Sequence, residues 1–395
     1  MIGQPLPRRA GTPGPPPTLG AVASPGATRS PALHPVVGFD LDMTLVDSSA
    51  GIAATLRATL AEHGVHVGAA DVDLYAGLPL DLIIAGLAPG TPPAAVDALV
   101  ARYRQLYPSL GVDSVTAYPG AAAALAAPRA HGGRSLVVSA KHTPNVHRVL
   151  AAAGLDAAVA AADVAGDLFA DAKGPFVAAA GGTAYVGDHP GDVAAARAAG
   201  AVAVAVTTGA HDGDALRRAG ADVVLAGVAQ VPAWLEEHVL DLRTAALRHR
   251  LAALGSVLVV LTGTPGSALL LAEAAAVLGP DRVAAAVPSP APGTARARAL
   301  AAGLGIRVHE LPAGTAPGPL AARLGLAHVA GGQDADEVLP RPGSRSGPAG
   351  GDVATPLRDA ALTGEQVRAA SRRLALPGPS GEPVAAADVP AAARD

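Results

Sequence analysis

From Val36 onward, short apolar runs alternate with Ala-rich stretches of helical spacing, and that alternation predicts the architecture. The runs Val36–Phe39, Ser135–Val138, Ala184–Gly187, Val202–Val206 and Asp222–Leu225 are brief, rich in β-branched residues and followed by polar or glycine residues. Separated by helical segments, they read as parallel strands of a sheet covered on its faces. The gap between the first two runs is too long for one crossover. Within it, Ile52–Glu62, Leu80–Leu87 and Ala94–Tyr107 carry apolar residues at helical spacing, so a helical cap over about residues 49–117 is expected. A second alternating region begins near Leu242, with strand candidates Val257–Leu261, Arg282–Val287, Ile306–Leu311 and Ala327–Ala330. Trp234 and Glu236-Glu237-His238 mark the boundary between the two. The pattern predicts an α/β chain with a parallel sheet and cap over 34–238 and a second α/β domain over 242–385. Residues 1–33 hold many prolines and no Asp or Glu, and read as a disordered leader. Pro340–Thr355 reads as loops and residues 386–395 as a frayed tail.

Composition narrows the chemistry. A length of 395 residues suits two domains plus tails. Half the residues are apolar but aromatics are only 2%, so the core must be Ala, Val and Leu. The chain has no Cys, which excludes disulfides, thiolate nucleophiles, Cys-ligated zinc and iron–sulfur clusters. Net charge is −4 with both signs interspersed, so neither a nucleic-acid stripe nor a polybasic membrane patch is present. No run approaches the ~18 apolar residues of a membrane span, and no charged-then-apolar signal segment opens the chain. The expectation is a soluble, cytoplasmic protein that engages neither nucleic acid nor membrane. Of the 29 basic residues only Lys141 and Lys173 are lysines. A compact ammonium differs from a guanidinium fork mainly where a point charge must sit beside a phosphate or carboxylate.

Asp40-Leu41-Asp42-Met43-Thr44 follows the first run. In a continuing strand, carboxylates at i and i+2 share a face, and like charges held that close raise each other's proton affinity. Such a pair costs stability unless a cation or a reaction uses it. Ligands of open α/β sheets bind at the carboxyl ends of strands, so the neighbouring strand ends matter. The second run is followed by Ser139 and Lys141. The third is followed by Gly187-Asp188-His189-Pro190-Gly191-Asp192, with Lys173 just upstream. Carboxylates from separate strands suit Mg²⁺, a hard cation that keeps waters for a substrate phosphate. The chemistry that fits is covalent catalysis by a carboxylate through an aspartyl-phosphate. Taken singly, each residue has a plainer reading. A D-x-D at a strand end is often a turn with solvated acids, Ser139 a helix cap, Lys173 a surface lysine. His142 and His189 are loop residues as readily as pocket residues, and His211-Asp212 reads as a helix start.

Joined in order, these residues resemble the haloacid dehalogenase-type phosphohydrolases, close to the phosphoglycolate-phosphatase-like group, over residues 34–238. The D-x-D-x-T motif is Asp40, Asp42 and Thr44; the second-motif hydroxyl is Ser139; the third-motif lysine is Lys173; G-D-x-x-x-D is Gly187, Asp188 and Asp192. The resemblance implies a Rossmann-like core with a helical cap that excludes water and selects substrate. It implies that Asp40 attacks phosphorus and that Asp42 protonates the leaving alkoxide, then activates water. It implies Mg²⁺ on Asp40, the Asp42 backbone carbonyl and Asp188, with Asp192 in support. Thr44, Ser139, Lys173 and Lys141 are then the phosphate-binding set. Three departures stand out. Met43 sits where the family usually has Gly, Ser139-Ala140-Lys141-His142 replaces the commoner hydroxyl-Asn pair, and Lys173 lies nearer Asp188 than usual. Tyr75, Arg102, Arg104 and Tyr107 are the cap's candidate substrate contacts.

In the second domain, Val257–Leu261 runs into Thr262-Gly263-Thr264-Pro265-Gly266-Ser267 and then a helix. A strand, small-residue loop and helix N-terminus together can bind an anion. This loop resembles the S-G-G-x-D-S loop of PP-loop ATP pyrophosphatases (the adenine nucleotide hydrolase-like fold). With Gly332–Glu337, Arg341–Gly343, Pro356–Thr363 and Leu374–Pro377, the region resembles ATP-dependent sacrificial sulfur transferases. The loop's Asp is Gly266, its central Gly is Thr264 ahead of Pro265, and the chain lacks the cysteines that such sulfur chemistry needs. The expectation is a Mg²⁺-dependent phosphomonoesterase acting on a small phosphorylated metabolite, fused to a degenerate PP-loop domain. The alternative is a nucleotide-sensing regulatory protein whose C-terminal domain binds adenine nucleotide. The sequence leaves the oligomeric state open.

Overall fold

The computed structural model describes residues 32–68, 78–289, 294–312, 314–332, 354, 356–374 and 376. Tyr75, nearly all of the leader and of Pro340–Thr355, the motifs over 333–343 and the tail lie outside the described residues. The chain runs β1 (Val36–Phe39), β2 (Val46–Asp47), the cap helices α1 (Ser49–Ala61), α2 (Leu80–Leu87) and α3 (Pro93–Leu110), and β3 (Thr116–Ala117). It continues through α4 (Ala121–Ala130), β4 (Arg134–Val138), α5 (Thr143–Ala152), β5 (Val164–Ala165) and α6 (Gly174–Ala179). Then come β6 (Ala184–Gly187), α7 (Pro190–Ala199), β7 (Val202–Val206), α8 (Gly213–Arg218), β8 (Val223–Leu225) and α9 (Val231–Leu254).

The first sheet has the order β5-β4-β1-β6-β7-β8 and every pairing in it is parallel. β1 lies between β4 and β6, so the chain order reverses at β1 and opens a crevice at its carboxyl end. Strand alternation divides the apolar residues between the faces. Val37, Phe39, Val137 and Val186 join one cluster, and Leu136, Val138, Tyr185 and Ala203 another. The first cluster continues into the cap through Leu56, Leu60, Ile83, Leu99 and Tyr107. Where the chain enters and leaves the cap, β2 and β3 pair antiparallel, Val46 with Ala117 and Asp47 with Thr116. That two-residue ribbon ties the cap's two crossings together. β2, β3 and β5 were too short for any apolar pattern to announce them.

Residues 234–242, where composition sets the boundary between the halves, run without interruption through α9. Its first half gives Val231, Leu235 and Val239 to the core under the first sheet, and its second half gives Leu247 and Leu251 to the next. One helix thus serves two cores. Beyond it lie β9 (Val257–Val260), α10 (Pro265–Leu278), β10 (Val283–Ser289), α11 (Thr294–Gly303), β11 (Arg307–Pro312), α12 (Gly318–Arg323), β12 (His328–Gly331), α13 (Pro356–Asp359) and α14 (Gly364–Arg373). The strands form a second parallel sheet, ordered β11-β10-β9-β12. α10 is buried nearly all round, with Leu269, Leu270 and Leu271 fully covered. Its one acid, Glu273, is buried but takes a forked pair from Arg248 of α9 at 2.7 and 3.1 Å. Among the described residues no helix is long and apolar enough to cross a membrane.

Candidate active site

β1 ends at Phe39, and the chain turns tightly at once. Leu45 N and Val46 N both donate to Leu41 O, at 2.9 and 3.1 Å, with Leu41 and Leu45 fully buried as anchors. Asp40 and Asp42 therefore sit on a turn and not on one strand face, which corrects the alternation argument made from the sequence. Their carboxylates face different partners. Met43, at the tip, adopts φ +59°, a left-handed conformation that a side chain enters only at a cost of roughly 1–2 kcal/mol. Its carbonyl accepts from the Thr208 hydroxyl, and its N–H donates to Val46 O at 2.8 Å.

Asp40 belongs to a buried cluster. Carboxylate oxygens of Asp40, Asp188 and Asp192 all lie within 4.8 Å of one another. Lys173, 3% exposed, drives its ammonium between two of them, 2.8 Å from Asp40 Oδ1 and 2.7 Å from Asp192 Oδ1. Asp192 is fixed from its other side, because Oδ2 accepts the His189 N–H at 3.1 Å in a capping box that starts α7. Asp188 Oδ1 accepts the Thr44 hydroxyl at 2.8 Å. Two glycines give these carboxylates room. A Cβ on Gly187 would lie 2.3 Å from Asp192 Cγ, and one on Gly209 1.9 Å from Asp188 Oδ2. Burial pushes Asp40 up to about 7, against the pull of Lys173 and with help from Asp192 and Asp42. Burial, followed by Asp192 and Asp40, holds Asp188 well above the usual carboxylate range. Lys173 resists burial because those carboxylates hold its proton. Three buried carboxylates with one ammonium set between two of them crowd like charges together, an oxygen-ligand set that a divalent cation suits.

Asp42 faces the other lysine. Its Oδ1 accepts from the Ser48 hydroxyl and lies 3.2 Å from Lys141 Nζ. Lys141 donates to the Tyr107 hydroxyl at 3.0 Å, with Nζ 4.1 Å from that ring's centre. Each lysine thus lies against a fully buried tyrosine, Lys173 being 5.4 Å from the ring of Tyr185. The Ser139 hydroxyl is buried and accepts the Lys141 N–H at 3.2 Å. Above these groups opens a cavity of about 340 Å³, with Asp40, Asp42, Ser139, Lys173, Asp188 and Asp192 in its wall. The remainder is largely apolar, including Met43, Ile52, Leu78, Ile83 and Phe169. A smaller cavity of about 80 Å³ adjoins it behind Asp42, between α3 and the loop after β4.

Comparison with known proteins decides what this arrangement belongs to. The sequence profile of haloacid dehalogenase-like hydrolases matches residues 37–197. A phosphoglycolate phosphatase of Yersinia pseudotuberculosis serotype I is 30% identical over 210 residues, 49% of this chain and 90% of that protein. This chain belongs to the haloacid dehalogenase-like hydrolase family. It is a phosphatase of that family. The phosphoglycolate phosphatase of Yersinia pestis is similar at 29% identity over the same span. A solved structure described as a predicted phosphatase from Clostridium acetobutylicum is 22% identical with a TM-score of 0.47, covering 52% of this chain and 100% of that one. A HAD family hydrolase from Deinococcus radiodurans R1, solved with bound phosphate and sodium, is 29% identical with a TM-score of 0.40, covering 52% and 97%.

Within this haloacid dehalogenase-like hydrolase the fold gathers Asp40, Asp42, Thr44, Ser139, Lys141, Lys173, Asp188 and Asp192 around the carboxyl ends of β1, β4 and β6. Asp40, Asp188 and Asp192 can hold a divalent cation, while the Asp42 carboxylate turns to Lys141 and Ser48. The hydroxyl of Thr44 serves Asp188. His142 accompanies Thr143 on Asp167 instead of lining the larger cavity. His189 does line it, its ring 4.8 Å from His211, and burial lowers its pKa. Asp212 caps α8, accepting the Ala215 N–H at 2.7 Å. Of the cap candidates, Arg102 pairs with Glu62 on the surface, whereas Arg104 and Tyr107 reach the core. Ser48 and Gly209 were not foreseen. Ser48 had a signal, a hydroxyl one turn after D-x-D-x-T. Gly209 had none, because its task is set by Asp188, 21 residues upstream.

Proposed function

We propose that this phosphatase hydrolyses the monoester of a small phosphorylated metabolite, with phosphoglycolate the first candidate, through an aspartyl-phosphate at Asp40 and with Mg²⁺ as cofactor. The observation that carries the reading is Lys173, bridging Asp40 and Asp192 inside a buried carboxylate cluster that opens on a substrate-sized cavity. The phosphoglycolate assignment follows the Yersinia relatives. Mg²⁺, held by Asp40, Asp188, Asp192 and the Asp42 backbone carbonyl, would neutralise phosphoryl oxygens and carboxylates alike. An Asp40 carboxylate oxygen attacks phosphorus, and the P–O ester bond breaks with its electron pair passing to the ester oxygen. Asp42 delivers the proton that this oxygen needs. Asp42 then takes a proton from water, whose oxygen attacks phosphorus and releases inorganic phosphate and the Asp40 carboxylate. Lys173 and Ser139 hold phosphoryl oxygens during both displacements.

A panel of phosphomonoesters, assayed with and without Mg²⁺, tests the reading together with Asp40→Asn. Turnover that needs Mg²⁺ and vanishes in the variant is expected. Undiminished hydrolysis by Asp40→Asn sinks the covalent mechanism, and activity in chelator sinks the cofactor assignment. For the C-terminal sheet, an inactive PP-loop-like region is the reading favoured. There the hydroxyls of Thr262, Thr264 and Ser267 bond one another at 3.2–3.3 Å, and a side chain at Gly266 would strike Gly332 O at 2.2 Å. Titration with ATP checks it, and saturable binding abolished by Thr264→Glu would favour nucleotide sensing instead.

A further inference from the structure

Both groups that grip Asp42 take the same oxygen. The Ser48 hydroxyl and the Lys141 ammonium meet Oδ1, which leaves Oδ2 as the oxygen free to carry a proton. Ser48 and Lys141 differ in what holds them. Ser48 is on the core side of the cap linker, directly before α1. Lys141, 7% exposed, is seated from above by the cap, through its 3.0 Å bond to the Tyr107 hydroxyl. Tyr107 is itself closely packed. Its ring is fully buried, stacks on Tyr103 at 5.6 Å, and lies so close to Gly111 that a Cβ there would come within 2.4 Å of it. One turn earlier on α3, Arg104 makes a second crossing, 2.8 Å to Asp167 Oδ1. Asp167 belongs to the same assembly, because its N–H donates to Lys141 O at 2.9 Å. Helix α3 therefore fastens the loop that carries Lys141 at two points, and only one of them leads on to Asp42.

We propose that Tyr107 is a positioning residue for the general acid: with α3 on the core it seats Lys141 against Asp42 Oδ1, so that Oδ2 is presented to the leaving oxygen. The inference rests on the acid–base role assigned to Asp42 above. In the step concerned, the Asp42 Oδ2–H bond breaks and an O–H bond forms on the ester oxygen as the P–O bond cleaves. Closure of the cap and readiness of the acid then become a single event, which keeps Asp42 from working on an open site.

Leaving-group chemistry tests this without appeal to pH. An alkoxide needs a proton to depart, whereas p-nitrophenolate leaves unassisted, so a misplaced acid penalises alkyl esters selectively. The quantity to measure is kcat/KM, which covers only steps up to departure of the leaving group. It is compared between p-nitrophenyl phosphate and the alkyl phosphate that the wild-type protein hydrolyses best in the panel. Tyr107→Phe keeps the ring and removes the hydroxyl. The alkyl-to-aryl ratio of kcat/KM should fall about tenfold, a part of the roughly 10²–10⁴-fold that a positioned acid contributes. Lys141→Met should lower the ratio at least as far, and adding Tyr107→Phe to it should lower it no further, because the two act in series. Equal losses on both esters, or an unchanged ratio, would overturn the proposal and leave Tyr107 as cap packing. Additive effects in the double variant would overturn the route through Lys141. Asp40→Asn separates the outcomes: if it still turns over either ester, the fault lies in the catalytic reading itself.

Discussion

Replacing Lys173 by Met keeps most of the side chain's bulk and deletes its ammonium. The nitrogen lies 2.8 Å from Asp40 and 2.7 Å from Asp192, with its own side chain 3% exposed and theirs 13% and 5%. Removing one partner of a buried ion pair costs about 3–5 kcal/mol, because the other charge stays behind uncompensated. For a domain of 150–250 residues, each kcal/mol moves the melting temperature by roughly 2–4 °C, so a fall of about 6–20 °C is expected for metal-free protein. The pH dependence has a definite sign. Asp40 already sits at about 7 in the fold against 3.8 unfolded, and without Lys173 nothing opposes burial and Asp192. A carboxylate raised in this way favours the folded state while protonated and loses that advantage as pH climbs from its unfolded value through its folded one. The penalty of Lys173→Met should therefore be small near pH ~5, where Asp40 is protonated in both proteins, and should grow as pH rises past about 7. Millimolar Mg²⁺ should narrow the gap by supplying charge to the same carboxylates. Urea unfolding of both proteins across this pH range, with and without Mg²⁺, measures it. A penalty that is flat with pH and indifferent to Mg²⁺ would show that Lys173 contributes only packing.

The same titration predicts how metal binds. A cation must displace protons from Asp40, near 7, and from Asp188, also held well above the usual carboxylate range, so Mg²⁺ affinity should weaken about tenfold per pH unit for each proton released as pH falls. Calorimetry in two buffers of unlike ionisation heat counts those protons, and a count of zero would contradict the raised values. Gly187→Ala puts a Cβ 2.3 Å from Asp192 Cγ and forces that carboxylate off Lys173 and out of the α7 cap. Half-saturating Mg²⁺ should rise by about tenfold or more. An unchanged metal requirement would remove Asp192 from the site.

Much of this was legible in the chain. Val36–Phe39, Ala184–Gly187 and Val202–Val206 are strands to the residue, because a strand buried on both faces leaves an uninterrupted apolar run. Leu80–Leu87 is likewise a helix to the residue. The strand ends then point to the candidate site, since Asp40, Ser139 and Asp188 each follow one directly. What escaped depended on geometry that no pattern encodes. Where β1 stops decides whether Asp40 and Asp42 share a face, and the turn anchored by Leu41 and Leu45 separates them. Lys141 reads as a phosphate ligand from the sequence, and its contact with Tyr107, 34 residues away, follows from no pattern. The boundary read at Trp234 dissolved into α9 because a helix serving two cores has an apolar stripe that changes partners without breaking.

The two lysines give the protein its own reporters. Isotopic labelling of lysine alone would report on two side chains among 395 residues, Lys173 in the wall of the larger cavity and Lys141 in that of the smaller one behind Asp42. One ammonium bridges Asp40 and Asp192; the other spans Asp42 and Tyr107 of the cap. Phosphoryl transfer onto Asp40 should shift the first signal and domain closure the second. A spectrum of two peaks would then follow chemistry and motion separately.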